Sequence, residues 1–491
     1  MELLMVKANS LKLNLLLNII KTSLAILFPL ITYPYVTRVL LPEGLGKIEF
    51  VNSLVSYFIV IAGFGIPVYG LREVSKYRND RDLLSKKVHE LFILNTIATV
   101  VVFSVYIILV LFSEKLFLQK ELCFILGLSI IFTTFGMDWV YQGFEDYLFI
   151  TIRNFIFQVL SLVLLFLLVK SSDDYLIYAG LLVLSPIGSS IINFFLLGKY
   201  IDFKIFNNYQ IIYHIKNVLI IFVTLLMGTL LLKLEAVLLG LFLGYADVGI
   251  YSVANKLINM IVGVIAMVGM TFLPTIIHHV NKNDEKYVQL LLNKSINFVI
   301  FITIPMIIGL FCLSDEIIYL LAGDSFSASV LPFKIMLLII IFNAVSVVYG
   351  NQVFLAYHQE RKSLFILMIA GLIGIVLNFI LIPLFNVSGA ALAVTFSSFI
   401  AVLLQYFFAM KYAPINILTI QNLKSIIMSL FMGIIILVSK HLLSPWSPII
   451  LVIIPVGVVV YFSGMAFLKD DFTSEILSIM KKKISDYRQK K

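Results

Sequence analysis

Long apolar runs recur along this chain, and they constrain its fold more than any other feature. Each run is about 20 residues or longer, the length that an α-helix needs to cross the hydrocarbon core of a bilayer. Hydrophobic residues make up 61% of the chain and charged residues only 13%, against about 25% in soluble domains. The sequence therefore predicts an all-α integral membrane protein. Fourteen spans are expected, near 12–36, 47–70, 88–112, 122–143, 148–170, 175–198, 216–243, 248–277, 291–313, 329–350, 362–384, 386–410, 421–440 and 446–468.

The basic residues predict how these spans are oriented. If the N-terminus is cytoplasmic, 26 Lys and Arg residues fall on the cytoplasmic side and 6 on the opposite side. The positive-inside rule then places both termini in the cytoplasm of a multi-pass protein. The net charge of +9 is accounted for by this topology, so no nucleic-acid partner is expected and the basic tail is expected to contact membrane lipids.

Two stretches 203 residues apart resemble each other. Residues 41–54 and 244–257 align Gly46 with Gly249 and Asn52 with Asn255. The copies are six spans apart, so they run in the same direction, as in transporters built from two parallel bundles. The predicted domains are an N-terminal six-helix bundle (1–200), a C-terminal six-helix bundle (201–411) and two further helices with a basic tail (412–491).

Helical spacing places polar residues of the repeat on single faces, because residues at i, i+3, i+4 and i+7 share a side of a helix. Span 2 carries such a face, formed by Glu49, Asn52, Ser53 and Ser56. The equivalent face on span 8 is Ser252, Asn255, Lys256 and Asn259. Recurrence at equivalent places predicts the wall of a central cavity shared by the two halves. The alternative is that the uncharged members form interhelical hydrogen bonds.

Charges inside spans are more informative, since each costs about 2.5–3.5 kcal/mol near the bilayer centre. Lys21 of span 1 and Lys256 are predicted to line the cavity, and Arg38 at the outer end of span 1 either joins them or anchors headgroups. The candidate substrate-binding set is Lys21, Arg38, Asn52, Asn255, Lys256 and Asn259. The candidates for coupling to H⁺ or Na⁺ are Glu49, Glu235 and Asp138. Glu235 is predicted to line the cavity as well, and the alternative for Glu49 and Asp138, which lie near span ends, is an interfacial position.

Signatures of enzymes are absent from the sequence. Loops between the predicted spans reach about 17 residues, too short for a soluble catalytic domain. His278 and His279 lack the i, i+4 spacing of a helical zinc site, and no Walker A loop occurs. The chain is expected to be no enzyme, with no metal site and no cofactor beyond a coupling ion.

Five segments resemble motifs of the polysaccharide repeat-unit flippases, the Wzx-like O-antigen and capsule transporters of the multidrug/oligosaccharidyl-lipid/polysaccharide exporter superfamily. They are 37–46 after span 1, 70–74 after span 2, 138–143 at the end of span 4, 248–256 at the start of span 8 and 387–391 at the start of span 12. Each motif is loose alone, but their order and spacing are specific. The chain departs from the family at Leu41, where Gly is common, and at Asp138, where Glu is common.

This resemblance implies a MATE-like fold and a flippase that moves undecaprenyl-diphosphate-linked oligosaccharide from the inner to the outer leaflet of the bacterial cytoplasmic membrane by alternating access. It also implies partners in the same pathway, a polymerase and a chain-length regulator. Two alternatives remain within the superfamily: a cation-coupled multidrug exporter and a lipid II flippase. The sugar composition of the substrate is not encoded in any motif we recognise.

Overall fold

The fold is known from a computed structural model that describes residues 11–204, 206, 208–417, 419–443 and 449–474. Helical side chains are described except at 11–27, 29, 231–232, 267–269, 443 and 449–451. All regular secondary structure in these ranges is helical. The chain divides into two compact units, the first ending at Gly249 and the second beginning at Ile250.

The first unit contains nine α-helices within the described part of the chain and the start of a tenth. They are α1 (Leu11–Gly63), α2 (Ile66–Tyr77), α3 (Arg81–Phe112), α4 (Glu114–Phe117), α5 (Lys120–Gly136), α6 (Asp138–Gly143), α7 (Tyr147–Leu168), α8 (Tyr175–Leu196) and α9 (Ile211–Phe242). Helix α9 packs against α1, where the ring of Phe50 lies so close to Gly240 that an added methyl group would be 2.1 Å from it. The division into an N-terminal bundle (1–200), a C-terminal bundle (201–411) and two further helices with a basic tail (412–491) stays a prediction.

The remaining helices belong to the second unit, apart from the first residues of α10. They are α10 (Tyr245–Gly269), α11 (Leu273–Asn281), α12 (Glu285–Cys312), α13 (Ser314–Ala322), α14 (Val330–Ser346), α15 (Phe354–Ala356), α16 (Glu360–Ala409), α17 (Ile420–Leu443) and α18 (Ile449–Phe467). A π-helix, Val347–Val353, continues α14. Polar contacts attach the last two helices to α12: Asn422 Nδ2 donates to Asn297 Oδ1 at 2.9 Å, and the Tyr461 hydroxyl donates to the Phe301 carbonyl at 2.8 Å.

Two of the helices are too long to be single spans. At 1.5 Å per residue, the 53 residues of α1 would extend about 80 Å, well beyond a bilayer core of about 30 Å. Each is broken by a residue with positive φ, Leu41 in α1 and Asn386 in α16. Eleven helical stretches of the described chain are long and apolar enough to cross a membrane, and α18 adds the shorter apolar segment Val452–Phe467. With the two breaks counted, each of the fourteen predicted spans corresponds to a helical segment.

The break at Leu41 explains why glycine is common at this position in the family motif. Its φ of 58° and ψ of 175° lie in a region that glycine adopts readily and that costs other residues about 1–3 kcal/mol. The side chain is exposed, so little packing is lost when it is removed. We expect Leu41→Gly to raise the free energy of unfolding by about 1 kcal/mol, measured by thermal unfolding in detergent. Leu30→Gly, an exposed position inside the same helix, should lower it by about 1 kcal/mol. Equal losses in both variants would contradict the assignment of strain to Leu41.

The repeat extends from sequence into local structure. A short helix beginning with proline in its first turn follows the repeat in each copy, α2 in the first and α11 in the second. The next long helix is capped by an aspartate in both cases. Asp80 accepts from the Leu83 amide at 3.0 Å before α3, and Asp284 accepts from the Tyr287 amide at 3.3 Å before α12. Asp80 and Asp284 are 204 residues apart, one more than the offset of the repeat.

The equivalent glycines of the repeat make reciprocal contacts. A methyl group on Gly46 would lie 1.6 Å from the Tyr245 carbonyl oxygen, and one on Gly249 would lie 2.0 Å from the Pro42 carbonyl oxygen. Pro42 and Tyr245 are themselves related by the same offset of 203 residues. The start of α10 and the segment of α1 after Leu41 therefore meet backbone to backbone, with a local twofold relation, and only glycine fits at the two crossing points.

Two of the family motifs pack into each other. The indole of Trp139 in α6 lies on Gly70 of α2, where an added methyl group would be 2.5 Å from the ring. Val74 of α2 lies equally close to Gly143. Both motifs contribute to one buried apolar cluster that also includes Tyr141 and residues of α3 and α9. The motifs at the ends of spans 2 and 4 are thus complementary halves of one packing arrangement.

Gly70→Ala is expected to destabilise the protein by about 1–3 kcal/mol, because the methyl group forces Trp139 out of the cluster. Thermal unfolding in detergent measures the effect. Gly180→Ala in α8 is the matched control, since an added methyl group there meets nothing within 4 Å and alanine favours the helix. If both variants were as stable as the parent, the packing of Trp139 on Gly70 would be wrong.

Candidate functional site

The polar face predicted on span 2 lies on α1 after the break at Leu41. Ser53 is buried, whereas Glu49, Asn52 and Ser56 are half-buried. The Ser56 hydroxyl donates to the Asn52 carbonyl at 2.7 Å, a local bond within the helix. Glu49 lies within electrostatic range of Tyr178 on α8. The Glu49 and Asn52 side chains are therefore partly accessible, whereas Ser53 is packed against neighbouring residues.

The equivalent face on α10 becomes more exposed along the helix. Ser252 is buried, Asn255 and Lys256 are half-buried, and Asn259 is exposed. Asn259 Nδ2 donates to Asn255 Oδ1 at 2.8 Å, one helical turn away. The two amides and the ammonium group of Lys256 thus form a continuous polar strip along α10. This strip offers both donors and acceptors to a polar ligand.

Glu235 is buried near the end of α9, with 6% of its surface exposed. It lies within electrostatic range of Tyr57 on α1, whose hydroxyl is buried and has no hydrogen-bond partner in the described structure. The Glu235 carboxylate on α9 and the Tyr57 hydroxyl on α1 thus form a polar pair between two packed helices. Glu235, a predicted coupling residue, therefore lies near Tyr57, a polar residue that the sequence did not single out.

Two predicted cations lie on the first part of α1. The backbone of Lys21 is helical, but its side chain lies outside the described residues. Arg38 is exposed, and its Nη1 donates to the Pro34 carbonyl at 2.9 Å, one turn earlier on the helix. The cationic end of Arg38 is accordingly held close to its own helix.

Asp138 belongs to a polar network at the junction of α5 and α6. It accepts from Arg153 Nη2 at 3.1 Å and from Asn193 Nδ2 at 2.5 Å. Met137, with a φ of 43°, breaks the helix there, and Asn193 also donates to the Gly136 carbonyl that the break exposes. Arg153 is buried in α7, with 3% of its side chain exposed. The Asp138 carboxylate therefore already has a buried cationic partner.

A second buried cluster was missed by sequence reasoning. Glu90 of α3 and His214 of α9 are fully buried and hydrogen-bonded, with Nε2 2.9 Å from the carboxylate. Lys87 and Tyr69 complete the cluster. The available signal was a carboxylate in the predicted span 88–112, but no spacing linked it to a histidine 124 residues away.

The arrangement suits polar ligands and protons better than metals. Within the described part of the chain, no three His, Cys, Asp or Glu side chains are grouped closely enough to hold a metal ion. The polar faces of α1 and α10 carry amides, hydroxyls and an ammonium group, which bind oxygen-rich ligands such as phosphates and sugars.

Comparison with known proteins decides the family. The model of the family described as polysaccharide biosynthesis protein matches residues 11–280, more than half of the chain. The chain belongs to the polysaccharide biosynthesis protein family. A relative in Escherichia coli (strain K12), named for O-antigen transport, is 22% identical over 394 residues, covering 78% of this chain and 94% of the relative.

Solved structures show the fold of this family member. The lipid II flippase MurJ in an inward closed conformation matches with a TM-score of 0.71 at 20% identity, over 94% of this chain and 99% of MurJ. An inward-facing multidrug resistance MATE family transporter of the MOP superfamily matches with a TM-score of 0.61 at 13% identity, over 78% and 93%. The predicted membership of the flippase family and the all-α, MATE-like membrane fold are confirmed.

Proposed function

We propose that this chain is a flippase that moves an undecaprenyl-diphosphate-linked oligosaccharide repeat unit, of O-antigen or capsule, from the inner to the outer leaflet of the bacterial cytoplasmic membrane. The observation that carries the proposal is the family match over residues 11–280. The relative named for O-antigen transport, which is covered over nearly its whole length, supports it. The polar faces of α1 and α10 support it as well, because a diphosphate and its sugars need hydrogen-bonding walls in hydrocarbon.

The proposed substrate-binding residues divide by chemistry. Lys21, Lys256 and Arg38 supply cationic donors for the diphosphate or for acidic sugars, since ammonium and guanidinium groups bond strongly to phosphate oxygens. The amides that would bond to sugar hydroxyls are Asn52, Asn255 and Asn259. The lipid tail stays in the bilayer, so only the headgroup has to pass a polar surface.

Alternating access is the proposed mode of transport, as the two-copy architecture of such transporters suggests. Coupling to H⁺ or Na⁺ is assigned to Glu49, Glu235 or Asp138. Of these, Asp138 pairs with Arg153, and Glu235 lies within electrostatic range of Tyr57. Both termini are proposed to be cytoplasmic, and a polymerase and a chain-length regulator of the same pathway are the proposed partners.

Deletion of the gene tests the substrate class. We expect lipid-linked repeat units to accumulate on the cytoplasmic side and surface polysaccharide to be lost, because the polymerising reactions lie beyond the membrane. Extraction of lipid-linked oligosaccharides and surface staining measure both effects, and re-expression of the chain should reverse them. A strain that keeps its polysaccharide but becomes sensitive to drugs would favour a multidrug exporter. A strain with a cell-wall defect instead would favour lipid II transport.

A further inference from the structure

Four side chains from three helices form a buried ionisable cluster in the first unit. Both Glu90 and His214 are 0% exposed. Glu90 Oε2 accepts from Lys87 Nζ at 2.8 Å and from His214 Nε2 at 2.9 Å. Glu90 Oε1 accepts from the backbone N–H of Gln210 at 2.8 Å. On the far side of the ring, His214 Nδ1 is 3.0 Å from the Tyr69 hydroxyl. Every polar atom of the imidazole therefore has a partner.

The cluster connects helices that are distant in sequence. Tyr69 is on α2, Lys87 and Glu90 are on α3, and Gln210 and His214 are at the start of α9. Helix α9 is the first helix of the predicted C-terminal bundle and follows the connection after α8. Its first turn is thus attached to the preceding helices by charged and polar groups rather than by apolar packing alone.

Other titratable and polar groups also face the cluster. Glu73 of α2 and Asn217 of α9 lie within hydrogen-bonding range of the Tyr69 hydroxyl, and Tyr213 lies within electrostatic range of it. The Lys87 ammonium is 5.5 Å from the centre of the Tyr213 ring. Lys87, with 12% of its side chain exposed, and the half-buried Glu73 connect the buried pair to the surface on either side.

This geometry lets His214 take up a proton without losing a hydrogen bond. When the ring is neutral with its proton on Nε2, it donates to Glu90, and Nδ1 accepts from the Tyr69 hydroxyl. When a solvent proton binds Nδ1, that nitrogen donates instead, and the Tyr69 hydroxyl rotates to accept. Before proton uptake, the charged groups of the cluster are Lys87 (positive) and Glu90 (negative). After it, His214 adds a second positive charge. The added charge is next to the Glu90 carboxylate, 2.9 Å from the ring.

We propose that the Glu90–His214 pair is a proton-binding site that exchanges with the cytoplasm through Tyr69 and Glu73 and places a pH-dependent charge at the start of α9. It is separate from Glu49, Glu235 and Asp138, and it is built from a histidine, the side chain that ordinarily titrates near neutral pH. The proposal is independent of the transported substrate, because proton binding can be measured without transport.

Histidine NMR on the full chain tests the site. The protein contains six histidines, so ¹³C-labelled imidazoles give few enough resonances for His214→Gln to identify the His214 signal. We expect this signal to move as the buffer passes from mildly alkaline to mildly acidic pH. A signal that stays in one protonation state over that range would overturn the proposal and leave the pair a structural contact.

Two variants with opposite expected signs distinguish proton binding from loss of structure. Glu90→Gln removes a negative charge 2.9 Å from the ring, so the midpoint of the His214 titration should shift to lower pH. Lys87→Met removes a competing cation, so the midpoint should shift to higher pH. His89→Gln is the control on the same helix, because His89 bonds Tyr209 and lies outside the cluster. Shifts of the same sign in the first two variants, or no shift in either, would contradict the assignment.

Discussion

Replacing Gly46 by alanine is expected to destabilise the protein by on the order of 3 kcal/mol. The added methyl group would lie 1.6 Å from the Tyr245 carbonyl oxygen, so the backbones of α1 and α10 must move apart. A flexible side chain could rotate away from such a clash, but a helix carbonyl cannot. Gly249→Ala should have a similar effect through Pro42, since the contact is reciprocal. Thermal unfolding in detergent, together with the surface polysaccharide of cells carrying each variant, measures the result.

The double variant tests whether the two glycines act on one contact. Once one methyl group has separated the helices, the second should cost much less, so the effects should fall well short of additive. Gly263→Ala, on the same helix as Gly249, is the matched control, because a methyl group there meets nothing within 4 Å. Parent-like stability of Gly46→Ala would show that the two backbones do not meet as described.

Replacing Lys256 by alanine is expected to reduce transport roughly tenfold or more while leaving expression normal. A hydrogen bond to a charged group contributes about 1.5–3 kcal/mol, and 1.4 kcal/mol corresponds to a factor of ten. Lys256 is half-buried on the polar strip of α10, so its removal opens no apolar core. Lys21→Ala should behave alike if both cations contact the diphosphate or an acidic sugar. The rate at which lipid-linked units reach the outer leaflet measures the effect.

The arginine variants and a third lysine complete this test. Lys256→Arg and Lys21→Arg should keep part of the activity, because arginine also presents cationic donors to phosphate. Lys334→Ala should have little effect, since Lys334 Nζ pairs with Asp315 at 3.2 Å at the edge of α14. Equal and mild losses in all three alanine variants would show that the repeat does not identify the substrate-binding residues.

Much of the fold could be predicted from the sequence because lipid imposes simple rules. Apolar length predicted the spans, and the 203-residue offset predicted the equivalence of Gly46 and Gly249. The breaks were harder to predict. Leu41 and Asn386 interrupt their helices with positive φ, and neither is glycine, so local composition carries little sign of them. The π-helix at Val347–Val353 likewise has no signature in the residues that form it.

Individual partners in the site could not be predicted, because they depend on the rotation of one helix against another. Asp138 was recognisable as a motif residue, but its pairing with Arg153 and Asn193 depends on how α7 and α8 pack around the α5–α6 junction. Glu90 and His214 are 124 residues apart, and each alone resembles a residue at the end of a span. The polar faces of α1 and α10, by contrast, follow from spacing within single helices, which sequence alone reveals.

Leaflet exchange in vesicles tests the proposed flippase activity most directly. The purified full chain is reconstituted with a labelled undecaprenyl-diphosphate oligosaccharide, and a membrane-impermeant glycosidase added outside degrades every headgroup that it reaches. In protein-free vesicles degradation should stop at the outer leaflet, about half of the label. With the chain present it should proceed well beyond half, and with Lys256→Ala at least several-fold more slowly. The proposed function would be contradicted if degradation stopped at the same level with and without the chain. Movement of lipid II or a cationic drug by the chain in the same vesicles would show that the chain is active there.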